Sequence, residues 1–285
     1  MTPVPRPASA TLAERLGYAA TDRILIVNCD DLGVSRVANR ATLDAMTRGI
    51  ATSATLMVPC PWAWEAARLT AGRDVGVHLT LTSEYPGYRW RGLTDGASLH
   101  DADGFLAATT AAALARVDPE EARAEGRAQI ETALGWGVDV THLDAHMNVF
   151  QARSDLFEVY LDLAAAFRLP VRMVSRDEAA AQGFRARERA AARDILFTDD
   201  IVWHWPRRTL DVLHEVVPRL APGVTEIFAH PVEDGEELRG YDPAHADLRA
   251  HDALCLTDPA AGALLARHGV RRISHRALRA LQRGG

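Results

Sequence analysis

Residues 23–33 read RILIVNCDDLG, and this stretch decides the fold. The run of four apolar residues over 24–27 predicts a fully buried strand. Asp30 and Asp31 follow at its end, and Gly33 permits a sharp turn. Two adjacent carboxylates repel each other, and burial raises that cost unless a cation or a shared proton compensates. The pair is therefore a candidate metal or acid/base site, and an Asx turn with a helix N-cap is the alternative.

Segments with strand and helix patterns alternate along the rest of the chain. Ser35 is suited to cap a helix over 36–48, and Gly49 ends it. Further strands are predicted over 52–58, 74–81, 138–143, 170–174, 226–229 and 270–273. Further helices are predicted over 12–18, 62–69, 119–134, 156–167, 206–220, 244–254, 259–268 and at the C-terminal end as far as Leu281.

This alternation indicates the α/β class, built from parallel βα units. The expected organisation is a single domain over 21–285 that follows an N-terminal extension over 1–20. The first ten residues are rich in Pro and Ala, which predicts a loose tail. The segment 177–205 shows no clear pattern.

Composition argues against several classes of protein. The 285 residues carry a net charge of −6 without a basic tract, which argues against nucleic-acid binding. Three widely spaced cysteines indicate a reducing compartment rather than a disulfide framework. No signal peptide and no integral membrane segment are recognisable, so the expected location is cytoplasmic. A homodimer is the commonest assembly by base rate, and the oligomeric state stays open.

The segment 82–105 interrupts the alternation with a long stretch that is rich in Gly and aromatic residues. Connections of this length inside a compact domain usually act as lids or substrate loops. The segment follows the predicted strand that carries His78. We therefore expect it to cover the same end of the sheet as Asp30 and Asp31.

Polar residues collect at the predicted strand ends. In a βα barrel the active site is assembled at the carboxyl ends of the strands, so such residues are candidates for function: Asp30, Asp31, His78, Asp144, His146, Arg172 and His230. Two imidazoles with a carboxylate form a common set of ligands for a divalent metal. For any one histidine a surface or core role is the alternative, and we retain it for the other histidines of the chain.

Seven stretches of the sequence together carry a resemblance to a known family. They are VNCDDLG (27–33), GVHLTLTSE (76–84), YRWRGL (88–93), THLDAHMNVF (141–150), LPVRM (169–173), TEIFAHP (225–231) and LTDPAAGALLARHGV (256–270). They run nearly end to end along the chain, in the same order as in the family. By these stretches the chain resembles the YdjC-like carbohydrate deacetylases, which include chitooligosaccharide and hopanoid-associated deacetylases.

The resemblance implies a distorted (β/α) TIM-like barrel of the polysaccharide-deacetylase type. It also implies one divalent metal ion, magnesium or zinc, and removal of an N-acetyl group from a small amino sugar, oligosaccharide or glycolipid. By the same resemblance, the metal ligands are Asp31, His78 and His146. Asp30 is similar to the family's general base, and His230, in its His-Pro motif, to the acid.

Other residues receive roles from the resemblance or from their place beside these motifs. Arg172 is similar to a barrel-lining arginine that orients the base or the acetyl carbonyl. Asp144 is expected to fix a ligand imidazole by a hydrogen bond. In the long segment, the candidates for substrate binding are Glu84, Tyr85, Tyr88 and Trp90, and the alternative for the three aromatic residues is loop packing.

The chain departs from the family pattern in two places. After His146 it reads Met147 and Asn148, where many relatives have further histidines, which suggests a different subfamily or substrate. Cys29 replaces a small Ala and is read as a buried apolar residue. Two alternatives to the N-deacetylase stay open: hydrolysis of an O-acetyl ester or phosphoester at the same metal site, and a non-catalytic sugar-binding barrel.

Overall fold

A curled parallel β-sheet forms the centre of the computed structural model, which describes residues 10–183 and 185–284. Within these ranges the strands are β1 (Arg23–Leu32), β2 (Ser53–Leu56), β3 (Val75–Leu79), β4 (Val140–Ala145), β5 (Asp200–Val202), β6 (Gly223–Ala229) and β7 (Arg271–Arg272). Six strands follow the order β4-β3-β2-β1-β6-β5, and β7 pairs with the start of β1. All pairings are parallel, so the carboxyl ends of the strands meet at one edge.

Helices surround this sheet. In the described residues they are α1 (Leu12–Arg15), α2 (Arg36–Arg48), α3 (Ala63–Leu69), α4 (Thr110–Arg116), α5 (Pro119–Gly135), α6 (Val149–Ala152), α7 (Ser154–Phe167), α8 (Arg176–Gln182), α9 (Ala186–Ala191), α10 (Thr209–Val216), α11 (Glu236–Tyr241), α12 (Ala246–Thr257), α13 (Pro259–Arg267) and α14 (His275–Gln282). Among them, none combines the length and the apolar character needed to cross a bilayer.

Strand β1 lies at the centre of the sheet because its residues from Ile24 onward are all buried. Side chains alternate between the faces of a strand, and β1 divides its apolar residues accordingly. Ile24 and Ile26 pack with residues of α1 and α14, whereas Leu25 and Val27 join the larger core beneath the outer helices. The face with Ile24 and Ile26, which is the inner face of β1, also carries Asn28 and Asp30, whose side chains are hydrogen-bonded to each other. The inner face of β1 therefore leads from an apolar end to a polar one.

The sheet curls until its two ends approach each other. Beyond β4, Leu143 forms a single parallel bridge to Val171. The Val171 N–H donates to the Leu196 carbonyl at 2.9 Å, and the chain then continues into β5, which pairs with β6. Between β4 and β5 the barrel is therefore closed by isolated hydrogen bonds, whereas a regular barrel would have a continuous pairing of strands at this point. The predicted α/β class and distorted parallel barrel are confirmed.

Most predicted elements are present with shorter or shifted ends. Helix α2 has the predicted bounds, and the Ser35 side chain accepts a hydrogen bond from the Ala38 N–H. The strand predicted over 170–174 is wrong, because the segment has only the bridge at Val171 before the chain turns into α8 at Ser175. A strand of the sheet, β5, comes instead from the segment without a clear sequence pattern. The predicted loose tail lies mostly outside the described residues.

Candidate active site

Both carboxylates of the Asp30-Asp31 pair reach one cavity because the end of β1 is distorted. Adjacent side chains of a regular strand point to opposite faces. Here Asp31 has a φ of +61°, and Gly33 has a φ of +96°. The pairing of β1 with β2 shifts register between Cys29 and Leu32. As a result, Asp30 and Asp31 both line a cavity of about 720 Å³ at the carboxyl edge of the sheet.

Three buried side chains converge at this cavity: Asp31 from the end of β1, His78 from β3, and His146 from directly after β4. Asp31 Oδ1 lies 3.3 Å from His146 Nδ1 and 3.5 Å from His78 Nε2. A ligand atom from each of the three lies within 4.8 Å of the others. Two ligands at tetrahedral positions about 2.1 Å from one ion are roughly 3.4 Å apart. The spacing therefore fits a single divalent metal ion.

The outer nitrogen of each imidazole faces a carboxylate. His78 Nδ1 lies 2.8 Å from Asp144 Oδ2, and His146 Nε2 lies 3.1 Å from Glu84 Oε1. Metal-binding histidines commonly have this arrangement, because the carboxylate fixes the ring and its tautomer. Asp144 thus lies against the His78 imidazole and Glu84 against that of His146, and the role of Asp144 in fixing a metal ligand stays a prediction.

The same carboxylates set the charge of the two rings in the absence of an ion. Burial by itself lowers the pKa of His78, but Asp144 and Asp31 raise it to about 9. Burial likewise lowers the pKa of His146, and Glu84 with Asp31 raises it to about 10. A field that holds two imidazoles protonated also attracts a metal cation, which would displace those protons on binding.

The fit of an ion is supported by an unpaired oxygen on Asp31. Its Oδ2 accepts a hydrogen bond from Arg249 Nη1 at 2.8 Å. Its Oδ1 is buried and accepts no hydrogen bond from the described residues, although both imidazoles face it. A buried carboxylate oxygen without a donor is costly in free energy. A cation at this point would remove that cost.

Asp30 has a different partner, Arg172. The guanidinium binds it in a bidentate manner, with Nη1 at 2.6 Å from Oδ2 and Nη2 at 2.8 Å from Oδ1. It also contacts Asp144 at 2.5 Å and Glu226 at 2.8 Å. Burial raises the pKa of Asp30, but the charge and hydrogen bonds of Arg172 outweigh it and lower the pKa to about 2. Asp30 is therefore an oriented, ionised carboxylate.

His230 lies directly after β6, next to Asp30. Its Nε2 is 4.0 Å from Asp30 Oδ2, and the Asp252 carboxylate accepts a hydrogen bond from its backbone N–H. The Trp205 ring packs edge-on against the imidazole with centroids 4.4 Å apart. Burial lowers the pKa of His230, and Asp31 opposes that shift. Packing against Trp205 and the backbone hydrogen bond to Asp252 thus hold the His230 ring beside Asp30 and Asp31.

Of the residues in the long segment that were expected to bind substrate, two reach the cavity and two do not. Glu84 and Tyr85 line the cavity. Trp90 is 3% exposed, and its indole Nε1 donates to the Thr82 carbonyl at 2.8 Å. The Tyr88 hydroxyl donates to the Val34 carbonyl at 2.7 Å. Neither Tyr88 nor Trp90 is among the residues that line the cavity. Their rings pack against each other, and Tyr88 also contacts Tyr241 of α11.

Arg249, Trp203 and Trp205 are among the residues of the cavity that sequence reasoning missed. Arg249 comes from α12, where Ala246, Arg249 and Asp252 share the buried face. A charged residue at such a position in a helix is a recognisable signal, because burying a charge requires a partner. The tryptophans follow β5, and their spacing alone carries no such signal.

Cys29 is fully buried on β1 and lines no part of the cavity. Burial, with Asp30 and Asp252 adding to it, raises the pKa of its thiol well above the ordinary value. A protonated thiol is a poor nucleophile. The interpretation of Cys29 as a small apolar residue is therefore consistent with its surroundings.

Known proteins are similar to this chain in sequence, and a solved structure is similar to it in fold. A family model described as YdjC-like protein matches residues 24–267. A carbohydrate deacetylase of Geobacillus stearothermophilus is 31% identical over 89% of this chain and 97% of its own. A carbohydrate deacetylase of Thermus thermophilus is 42% identical, over 55% of this chain and 56% of its own. A solved structure from Enterococcus faecalis V583, described as a "putative cellobiose-phosphate cleavage protein", is 25% identical with a TM-score of 0.77, and covers 90% of this chain and 99% of its own.

Proposed function

The chain belongs to the YdjC-like family, and from this premise and the geometry of the site we propose that it is a metal-dependent carbohydrate deacetylase. Its substrate is an N-acetylated amino sugar or short oligosaccharide, and its products are acetate and the free amine. One observation carries the proposal: the convergence of Asp31, His78 and His146, with a carboxylate behind each imidazole. A barrel that only bound sugars would have no use for such a set.

Amide hydrolysis requires activation of both reactants, since an amide is a poor electrophile and water is a poor nucleophile. A bound divalent ion lowers the pKa of a water molecule and polarises a carbonyl group. The atoms of this chain that would hold the ion are Asp31 Oδ1, His78 Nε2 and His146 Nδ1. Arg249 keeps the other oxygen of Asp31 occupied, which leaves Oδ1 for the ion.

Asp30 and His230 are placed to move the protons. Asp30 is ionised, and its Oδ2 is suited to accept a proton from the attacking water. Arg172 fixes the direction of that oxygen. In its protonated form, His230, 4.0 Å from the same oxygen, is suited to deliver a proton to the leaving nitrogen as the C–N bond breaks, and its lowered pKa makes that proton easy to release. The amine can then leave as a neutral group.

The test is a screen for released acetate. N-acetylglucosamine and diacetylchitobiose are incubated with the protein after removal of metal and after addition of magnesium, zinc, manganese or cobalt. We expect acetate only with metal, and none from the Asp31→Asn variant at low metal concentration. Release from O-acetyl sugars without any from the amides would support the ester alternative and contradict the proposal.

A further inference from the structure

Two tryptophans form an aromatic wall on the side of the cavity next to His230. They follow β5, and both Trp203 and Trp205 line the cavity. The Trp205 ring is fixed between His230 at 4.4 Å and His245 at 5.3 Å, with the Arg249 guanidinium 5.4 Å from its centroid. Its position beside the proposed proton donor is therefore determined by packing on several sides.

Trp203 is different because a large part of its ring is open. Its exposure of 43% is high for a large apolar side chain that lies within a cavity. On one side it packs against Phe228 with centroids 5.0 Å apart, and Phe228 in turn contacts Arg172 and His230. The ring is thus supported on the inside and free towards the cavity. Pyranose rings present apolar C–H faces, for which a flat aromatic ring of this kind is a suitable surface.

We propose that Trp203 and Trp205 form the platform for a sugar ring. This inference rests on the proposed function and names residues that bind the substrate at the same site.

The platform is tested with Trp203→Ala, and with Trp203→Phe as the conservative variant. With diacetylchitobiose as substrate, we expect the alanine variant to raise the Michaelis constant about five- to tenfold and to change turnover less. The phenylalanine variant, which keeps a flat ring, should recover most of this loss. Trp64→Ala, at a tryptophan 57% exposed on α3 and outside the cavity, is the matched control. An unchanged Michaelis constant in Trp203→Ala would overturn the platform.

Direct binding separates this inference from the proposed function. Titration calorimetry with diacetylchitobiose on metal-free wild-type protein measures the platform without turnover. Binding that is lost in Trp203→Ala, with no acetate from any amide, would refute the deacetylase but support the platform. Turnover by the wild type with unchanged binding in Trp203→Ala would refute the platform and support the deacetylase.

Discussion

Asp30 and Asp31 are neighbours of identical chemistry whose surroundings give them different properties. Asp31 is opposite two imidazoles and has an oxygen without a hydrogen-bond donor among the described residues. Asp30 has both oxygens bound by Arg172. The left-handed backbone of Asp31, at a φ of +61°, produces this division by turning the two side chains into the same cavity. Non-glycine residues in that region cost free energy and are often found at functional sites.

Asp31→Asn should weaken metal binding. The amide keeps the shape of the side chain but loses the negative charge that faces the two imidazoles, so the site loses most of its attraction for a cation. Metal content after dialysis against a weak chelator should fall, and part of the activity should return with excess metal. If the variant retains stoichiometric metal, Asp31 is not a ligand.

Asp30→Asn should instead retain the metal and lose turnover. Both oxygens of Asp30 are bound by Arg172, whereas Asp31 Oδ1 is the oxygen that lies within 3.5 Å of both imidazoles. Its loss as a general base should lower the rate roughly 10²- to 10⁴-fold. The measurement is single-turnover acetate release at saturating metal, together with metal content. Loss of the metal, or turnover close to that of the wild type, would contradict the assignment of the base.

At the scale of elements, the long segment between β3 and α4 is a packed loop with its own buried residues. Ser83 and Arg89 make hydrogen bonds inside it, and Trp90 lies beneath the aromatic rings of Tyr85 and Tyr88. Tyr85 connects it to α12 through the Arg249 guanidinium. The loop therefore positions Glu84 and Tyr85 at the cavity by means of residues that do not reach it.

Trp90→Ala should destabilise the protein. Truncating a buried tryptophan removes apolar packing and leaves a cavity, which typically costs about 3–5 kcal/mol. The hydrogen bond from its indole to Thr82 is also lost. Urea unfolding should show this loss, whereas Trp64→Ala should stay within about 0.5 kcal/mol of the wild type. A higher Michaelis constant without loss of stability would instead support the substrate contact predicted from the sequence.

The elements that sequence analysis found are those with strong local signals. The helix cap at Ser35 and the apolar run of β1 can be recognised from neighbouring residues alone. Strand-end residues such as His78 and His230 were predictable because parallel strands bring their carboxyl ends to one edge. The place of Trp203 in the site was not predictable, because the strand before it, β5, has only three residues and owes its place in the sheet to pairing with β6. Short strands of this kind depend on tertiary context that local patterns lack.

At the scale of the whole molecule, polar groups continue from the active site into the barrel. Glu226 lies below Arg172, and His275 Nε2 is 3.5 Å from its carboxylate. His275 stacks on His142 with ring centroids 3.6 Å apart and an interplanar angle of 14°. Both rings are fully buried. Beyond them, Ile24, Val224 and Leu278 form the apolar cluster at the opposite end. The interior thus contains titratable groups far from solvent.

His142 should make the protein less stable in acid. Burial, then the nearby His275 and Arg172, lower its pKa well below the ordinary value, so it stays neutral in the folded protein. In the unfolded chain it binds a proton below about pH 6.5, which favours unfolding. Stability should therefore rise with pH in that range, with a contribution from His142 of up to about 1.4 kcal/mol per pH unit.

The variant His142→Gln isolates this contribution from those of the other titratable groups. Urea unfolding is measured between about pH 5 and pH 6.5, where an ordinary histidine becomes protonated. Glutamine cannot take up the proton, so the free energy of unfolding of the variant should depend less steeply on pH than that of the wild type. His214→Gln, at an exposed histidine of α10, should leave the slope unchanged. Equal slopes in His142→Gln and the wild type would mean that His142 is protonated in the folded protein, and that its stack with His275 tolerates the charge.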